Sequence, residues 1–267
     1  MHEKKKKNSF KPPKPTMNVP ATIKSLFDVV PLVTYKDERL PHKGPNYPFL
    51  EEFTVAVHNV FNCKGMIIPT DPISLGIVLV LAHKNKLALP TEQGYGRGGI
   101  ITTSFHASPT NTLPLLIDQT TRTLDEINHT VANNLDEPAK LINEIIDTKF
   151  YDIWVLCILC EDIATTIFGV DTLSKLDLLA EVPNWNNFAV RHPNTNIPKL
   201  YSQQLVEFEE YLDLLELYDH PIINLKLAGY IIVINQLLSS TRLGKIVCTK
   251  HALLSRSYSL LNLHTTI

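Results

Sequence analysis

The stretch "IPTDPISLGIVLVLAHKNKLALPT", residues 68–91, is apolar at almost every position between its polar ends. Asp71 and Pro72 predict a helix start, because an N-cap aspartate accepts hydrogen bonds from free amides and a proline at the first helical position loses none. Asn85, with lysines on both sides, is expected to end the helix in left-handed geometry. A helix without a polar face must be covered on all sides. We therefore predict that it lies between two other layers.

The segments around this helix predict a mixed α/β first half. "FTVAVHNVF" (53–61) alternates and is rich in β-branched and aromatic residues, which predicts a strand followed by a turn at Gly65. A short second strand is expected at "LAL" (87–89) and a third at "TLPLLID" (112–118). The glycine-rich residues 91–111 are predicted to form a mobile loop, because no Gly-Lys-Ser/Thr follows that would indicate a phosphate site.

The second half is predicted to be helical throughout. A capping box, Thr123 with Glu126, opens a helix at the end of the first half. A long helix is expected over about 138–168, stopped by Gly169, and an amphipathic helix follows from the seven-residue repeat that begins at Tyr201. The remaining expectations are a short helix near 172–180, a loop over 182–198, an apolar helix after Pro221 and a last helix from about 242.

These elements predict an α/β domain, residues 49–135, followed by an all-helical domain, residues 136–267. This order is similar to the glutathione-transferase fold, in which a thioredoxin-like domain precedes a helical one. In that arrangement the apolar helix would lie between the sheet and the helical domain.

The chain begins with a basic arm, residues 1–20, which holds six lysines against one glutamate. It has no apolar run, so we predict disorder. Its lysines would also be attracted to an anionic membrane or partner. Residues 21–48 begin with an apolar stretch that is broken by proline and end in a polar, proline-rich gap from Pro41 to Pro48. This pattern predicts an extended segment that docks on a partner through five side chains: Phe27, Val29, Pro31, Leu32 and Tyr35. The alternative is that these side chains cover the chain's own sheet.

The composition argues against several classes of function. The net charge of −2 argues against a general nucleic-acid binder, which would carry an excess of positive charge. Four cysteines are too few for a disulfide scaffold, and the pair Cys157 and Cys160 lies in an apolar helical run, so we interpret both as buried thiols rather than a redox pair. The histidines form no metal-binding motif, and neither a metal nor a cofactor is predicted. Charged residues interrupt every apolar run long enough to span a bilayer.

Catalysis is not predicted at the N-terminal end of the apolar helix. The nearby hydroxyls are those of Thr70 and Ser74, and an ionised Asp71 would repel a thiolate. Leu113-Pro114 is a plausible cis-proline site, and in thioredoxin-like folds that edge pairs with an extended peptide. Asp71, Leu113 and Pro114 are therefore a possible peptide-binding edge, although a structural cis-proline is the simpler interpretation.

Six stretches, taken in order, resemble the metaxin family of glutathione-transferase-like proteins at the mitochondrial outer membrane. The resemblance is closest to the smaller metaxin-like subunits of the fungal sorting and assembly machinery. The stretches are "SLFDVVPLVTY" (25–35), "VAVHNVF" (55–61), "TDPISLGIVLVLAHKNKLALPT" (70–91), "TLPLLID" (112–118), "IIDTKFYDIWV" (145–155) and "INLKLAGYIIVIN" (223–235).

This resemblance implies a non-enzymatic, peripheral subunit on the cytosolic face of the mitochondrial outer membrane. Its expected partners are the Omp85-type central barrel, a second metaxin-like subunit and β-barrel precursors, whose β-signal it would help to recognise before insertion. Two alternatives remain: a glutathione-dependent transferase, and a soluble glutathione-transferase-like module that binds other proteins.

Overall fold

The computed structural model describes residues 54–91, 99–103, 108–110, 112–117, 120–168 and 185–264. The predicted basic arm (1–20), the predicted docking segment (21–48) and the predicted helix near 172–180 lie outside these residues.

Six short strands form two sheets. They are β1 (Thr54–Val57), β2 (Val60–Cys63), β3 (Met66–Pro69), β4 (Gly99–Thr102), β5 (Leu115–Ile117) and β6 (Thr121–Arg122). The larger sheet has the order β4-β1-β5-β6, with β1 parallel to β4 and antiparallel to β5, and with β5 antiparallel to β6. The strands β2 and β3 form a separate antiparallel hairpin.

The helices of the described residues lie in both halves of the chain. They are α1 (Pro72–Asn85), α2 (Leu124–Ala132), α3 (Glu137–Ile145), α4 (Tyr151–Cys160), α5 (Ala164–Phe168), α6 (Trp185–Arg191), α7 (Ile197–Glu216), α8 (Pro221–Leu237), α9 (Arg242–Thr249) and α10 (His251–Asn262). A π-helical turn, Ile146–Phe150, joins α3 to α4. A small mixed sheet followed by many helices is consistent with a glutathione-transferase-like layout.

The predicted single strand over 53–61 is wrong, because the chain leaves the larger sheet after Val57. Two hydrogen bonds of Asn59 fix the backbone between β1 and β2. Its carbonyl accepts a bond from the amide of Thr70 at 3.0 Å, and its side chain donates to the carbonyl of Ile167 at 3.3 Å. All four residues of β1 are buried, so the expected alternation is absent there. The predicted turn is confirmed: Lys64 and Gly65, between β2 and β3, have φ of 53° and 84°.

The predicted strand over 87–89 is also wrong. The amide of Leu87 donates to the carbonyl of Ala82 at 2.9 Å, and the amide of Leu89 donates to the carbonyl of His264 at 2.8 Å. Both amides therefore already donate to carbonyl groups near the ends of α1 and α10. They cannot also donate to the backbone of a neighbouring strand. The strand beside β1 is β4, which lies inside the segment predicted as a glycine-rich loop.

The helix predictions need four corrections. The expected long helix over 138–168 is interrupted, because Glu161 is extended at φ −119° and accepts bonds at 3.1 Å from the Tyr201 hydroxyl and the Arg242 amide. The expected loop over 182–198 contains α6, and the expected last helix is two helices, α9 and α10. The left-handed residue after α1 is Lys86 rather than Asn85, whose side chain donates to the carbonyl of Leu81 at 2.7 Å and keeps Asn85 helical.

The expectation that α1 is covered on all sides is confirmed, since its residues from Ser74 to Val80 are all buried. The layer beside it is α8, which separates two apolar clusters. One side of α8 joins α1 and the sheet through Leu225, Ala228 and Val233. The other side, which includes Leu227 and Ile231, packs into the helical cluster. Both helices are apolar all round because both are interior.

Two glycines set the closest approach between these helices. A Cβ placed on Gly229 would lie 2.5 Å from the amide nitrogen of Gly76 and 2.5 Å from the carbonyl oxygen of Pro72. A Cβ placed on Gly76 would lie 3.1 Å from the Cα of Lys226. The two backbones therefore touch, and a side chain at position 229 would hold them apart.

Among the described residues, no single helix is long and apolar enough to cross a membrane. Taken together, α8 and α9 meet that criterion of length and composition, but they are bent by 117° relative to each other.

We expect Gly229→Ala to lower the free energy of unfolding by about 3 kcal/mol, because α1 and α8 must separate to admit the methyl group. Gly76→Ala should cost less, since its new methyl group would meet its neighbours at 3.1 Å rather than 2.5 Å. Urea denaturation of the two variants and the wild type measures both costs. Equal stability of Gly229→Ala and the wild type would contradict the close packing described above.

Candidate functional site

The candidate site is the N-terminal end of α1 with the cleft beside it. Asp71 is the N-cap of α1, and its carboxylate accepts bonds from the amides of Ile73 at 3.2 Å and Ser74 at 2.8 Å and from the Ser74 hydroxyl. Only 3% of Asp71 is exposed. Burial raises the pKa of this carboxyl against the opposing effect of its hydrogen bonds. The predicted capping role is confirmed, and the cap engages both carboxylate oxygens.

Neither of the two nearby hydroxyls faces solvent. The Thr70 hydroxyl donates to the carbonyl of Ile167 at 2.8 Å, and the Ser74 hydroxyl donates to Asp71. Both residues are buried. Each hydroxyl therefore satisfies a buried acceptor, and neither is presented to a ligand.

A small cleft lies beside this helix end and encloses about 50 Å³. The residues that line it come from several helices and the π-helical turn: Ile73, Leu124, Asn128, Asp147, Tyr151, Asn187, Arg191 and Tyr230. A water molecule needs about 10–15 Å³ of such space, so the cleft has room for a few waters. Burial raises the pKa of the Tyr151 and Tyr230 phenols, which keeps both protonated at neutral pH.

An ion pair between Lys226 and Asp147 lies beside the cleft, and Asp147 lines it. Lys226, in α8, has only 4% of its side chain exposed and donates to Asp147 and, at 2.8 Å, to the side-chain amide oxygen Oδ1 of Asn143. The second carboxylate oxygen of Asp147 accepts a bond from Asn143 at 2.8 Å. The π-helical turn thus places Asp147 where it neutralises the lysine of the neighbouring helix.

A second buried carboxylate fastens α6 to α4. Asp152 is 2% exposed and accepts from Arg191 through two nitrogens, with the Nε bond at 3.1 Å. His192 Nε2 lies 2.8 Å from the same carboxylate. The charged side chains around the cleft therefore form their hydrogen bonds and ion pairs mainly with one another.

Sequence reasoning missed both of these clusters. Their signal is a single charge inside an apolar run: Asp152 in "YDIWVLCILC" and Lys226 in "PIINLKLAGY". A charge at such a position needs a buried partner. The partner itself is 39 residues away for Asp152 and 79 for Lys226, so pairing required the tertiary structure.

The cis peptide between Leu113 and Pro114 is confirmed. Leu113 is 1% exposed and packs with Ala56 and Leu115. The ladder between β5 and β6 ends at the pair Leu116 and Arg122, so Leu113 and Pro114 lie beyond the end of β6. The five docking side chains at positions 27–35 lie outside the described residues.

The interpretation of Cys157 as a buried thiol is confirmed, and that of Cys160 is wrong, because the end of its helix leaves it only partly buried. Both are free; Cys157 is buried and Cys160 is partly buried. Burial raises the pKa of Cys157 to about 11, so it stays a thiol near neutral pH. Within the described residues, no group of three or more His, Cys, Asp or Glu side chains could hold a metal ion.

Comparison with known proteins identifies a relationship in the first half of the chain. Residues 17–118 match the model of a family described as SAM35, subunit of SAM complex. The chain is also 30% identical to the Sorting assembly machinery 35 kDa subunit of Saccharomyces cerevisiae, over 52% of this chain and 53% of the yeast protein. The match thus spans about half the length of that relative.

The buried Asp71 carboxyl gives a pH-dependent prediction. Its pKa is raised in the folded chain above the ordinary 3.8, so the folded state binds this proton more tightly than the unfolded state does. The contribution of Asp71 to the free energy of unfolding should therefore fall as the pH rises from 3.8 to the raised value. Asp71→Asn keeps a capping oxygen but removes the charge. Denaturation across this window should show the stability difference, wild type minus variant, falling with pH; a constant difference would contradict the burial effect.

The buried pair at the cleft gives an asymmetric prediction. Asp147→Ala leaves the Lys226 charge without its carboxylate and should lower the free energy of unfolding by about 3 kcal/mol. Lys226→Met removes the charge while keeping the volume, and should change stability by less than about 1 kcal/mol. Thermal and urea denaturation would measure both. Equal costs for the two variants would show that the pair itself, rather than the buried charge, sets the energy.

Proposed function

We propose that this chain is a subunit of the SAM complex and serves the assembly of β-barrel proteins at the mitochondrial outer membrane, because residues 17–118 match the model of a family described as SAM35, subunit of SAM complex. The observation that carries this proposal is the family match, which includes the predicted docking segment, the sheet strands up to β5 and the whole of α1. The similarity to the yeast subunit supports the same assignment.

The proposed role is one of binding rather than catalysis. The groups a glutathione transferase would need at the start of its first helix are engaged here in structural bonds: Asp71 caps α1, and the Thr70 and Ser74 hydroxyls donate to buried acceptors. The neighbouring cleft encloses about 50 Å³, too little space for a tripeptide thiol. These features support the non-enzymatic hypothesis over the transferase hypothesis.

The proposed contact with the central barrel is the apolar segment 21–48, through Phe27, Val29, Pro31, Leu32 and Tyr35. All five lie inside the region that matches the SAM35 family. The proposed position is peripheral, on the cytosolic face of the membrane. The five net positive charges of residues 1–20 support it, because lysines near an anionic surface are attracted by about 1 kcal/mol each.

Recognition of a precursor's β-signal is proposed at the edge beside Leu113 and Pro114. An extended precursor segment would pair there through its backbone, since the β5–β6 ladder ends at Leu116 and the Leu113 side chain is turned into the protein. Asp71 would contribute through the helix that it caps, because its carboxylate is buried.

The assembly role predicts a specific complex. Tagged protein isolated from mitochondria that have been solubilised gently should migrate on a native gel with an Omp85-type barrel and a second metaxin-like subunit, identified by mass spectrometry. Replacing Phe27, Val29, Leu32 and Tyr35 by alanine should release the protein from this complex while leaving its melting temperature unchanged. Val190→Ser, which changes a side chain that is 79% exposed on α6, is the matched control and should remain assembled.

The other hypotheses predict different results. If the four side chains cover the chain's own sheet, the alanine variant should lose about 3 kcal/mol or more of stability. A free species absent from mitochondria would favour a soluble interaction module. Retention on immobilised glutathione with thiol-conjugating activity would favour a transferase.

A further inference from the structure

Helix α7 carries two apolar faces. Its inner face is buried in the helical core through Tyr201, Leu205, Phe208, Leu212 and Leu215. Its outer face exposes Val206 at 62%, Leu214 at 52% and, at the residue after the helix, Leu217 at 88%. These are three of the six large hydrophobic side chains exposed in the described part of the chain. Core packing accounts for the inner face and leaves the outer face unexplained.

The outer side chains lie on one side of the helix. At 100° per residue, Val206, Glu210, Leu214 and Leu217 fall within about 80° of one another. Leu217 keeps helical backbone angles, φ −87° and ψ −14°, so it continues the stripe by one position. We call these four residues the outer stripe.

The exposed charges along the C-terminal part of this face are acidic, whereas Lys199 is exposed on the same side of α7 about two turns before Val206. Glu209, Glu210 and Asp213 are exposed on this face. Lys250 pairs with Glu209 at 3.8 Å and with Asp213. Only 13% of the Lys250 side chain is exposed, so the two carboxylates are closer to solvent than the lysine. No ion pair to Glu210 occurs among the described residues, which leaves its charge in the middle of the stripe.

Arg256, a basic residue at the C-terminal end of α7, is directed inward. Arg256 donates to the carbonyls of Leu215 at 2.8 Å and Tyr218 at 3.2 Å, which caps the helix end. It therefore does not neutralise the outer stripe. An apolar stripe flanked by carboxylates repels an anionic membrane and attracts cationic groups.

We propose that the outer stripe of α7 docks a basic amphipathic segment of a partner protein. Its apolar side chains would cover Val206, Leu214 and Leu217, and its lysine or arginine side chains would pair with Glu210 and the adjacent carboxylates. An amphipathic helix laid along α7 meets both requirements, since its apolar and basic side chains recur at the same spacing. The proposal depends only on α7 and its neighbours, and it is separate from the assembly role above.

The test uses the purified full chain and a fluorescent synthetic peptide of about 18 residues, five turns of helix, with a leucine stripe flanked by lysines. Fluorescence anisotropy should show binding that weakens as the salt concentration rises from about 50 to 500 mM. Leu214→Ser combined with Leu217→Ser should weaken binding by about tenfold or more. Glu210→Lys should weaken it and reduce its dependence on salt, and Val190→Ser should leave it unchanged.

Two control peptides separate the contributions of shape and charge. One carries serines in place of the leucines, and the other carries glutamates in place of the lysines; neither should bind. Because the changed residues are exposed, the variants should keep the wild-type melting temperature. Equal binding of the peptide by the wild type and the double variant, or equal binding of the serine peptide, would overturn the proposal.

Other occupants of the outer stripe would give different results. Self-association of the chain, abolished by Leu214→Ser with Leu217→Ser, would assign the stripe to a second copy and overturn the proposal. Flotation with vesicles of anionic lipid that requires the same two leucines would assign it to a membrane surface and overturn it as well.

Discussion

The contact between Gly76 of α1 and Gly229 of α8 is the constraint on which the arrangement of the two apolar clusters depends. With hydrogen as the only side chain at both positions, the two helix backbones touch, and the apolar residues of α1 and α8 interdigitate on either side. Because α8 also packs into the helical cluster, it joins the sheet to the helices as one continuous interior. The position of the α1 N-terminus, and hence of the cleft beside it, follows from this crossing.

The buried charges around that crossing explain why this helix end is a structural feature. A carboxylate or an ammonium group in such an interior is costly unless hydrogen bonds and an opposite charge compensate it. Asp71 is compensated by its helix cap, Lys226 by Asp147 and Asn143, and Asp152 by Arg191 and His192. Each group is engaged by neighbours within the chain. This engagement supports the proposed binding role over the transferase hypothesis.

Two of the regions proposed here for binding differ in chemistry. The proposed docking segment near the N-terminus is apolar and lies in the region shared with the SAM35 family. The outer stripe of α7 is apolar with acidic flanks and lies beyond that region. Because they differ in charge, the segment at 21–48 and α7 are proposed to bind different partners.

The sequence by itself determined the starts of several helices. Asp71-Pro72, Thr123 with Glu126, and His220-Pro221 act through hydrogen bonds and fixed φ angles within a few residues, so local chemistry decides them. It also determined the interior position of α1 and the turn at Gly65, because a helix without a polar face and a glycine in a tight turn each allow few alternatives. Within the candidate site, it identified Asp71 as a cap and the cis bond before Pro114.

Only the tertiary structure decided which strands pair, where the long helix breaks and which charges meet. The amides of Leu87 and Leu89 are bonded to a helix end and to His264, so a segment with strand-like composition does not join the sheet. Glu161 breaks its helix because residues 40 and 81 positions away bind its side chain. In each case the hydrogen-bonding partner that decides the local structure is distant in the sequence. The bond can form, and contribute to stability, only after packing of the interior has brought the two groups together.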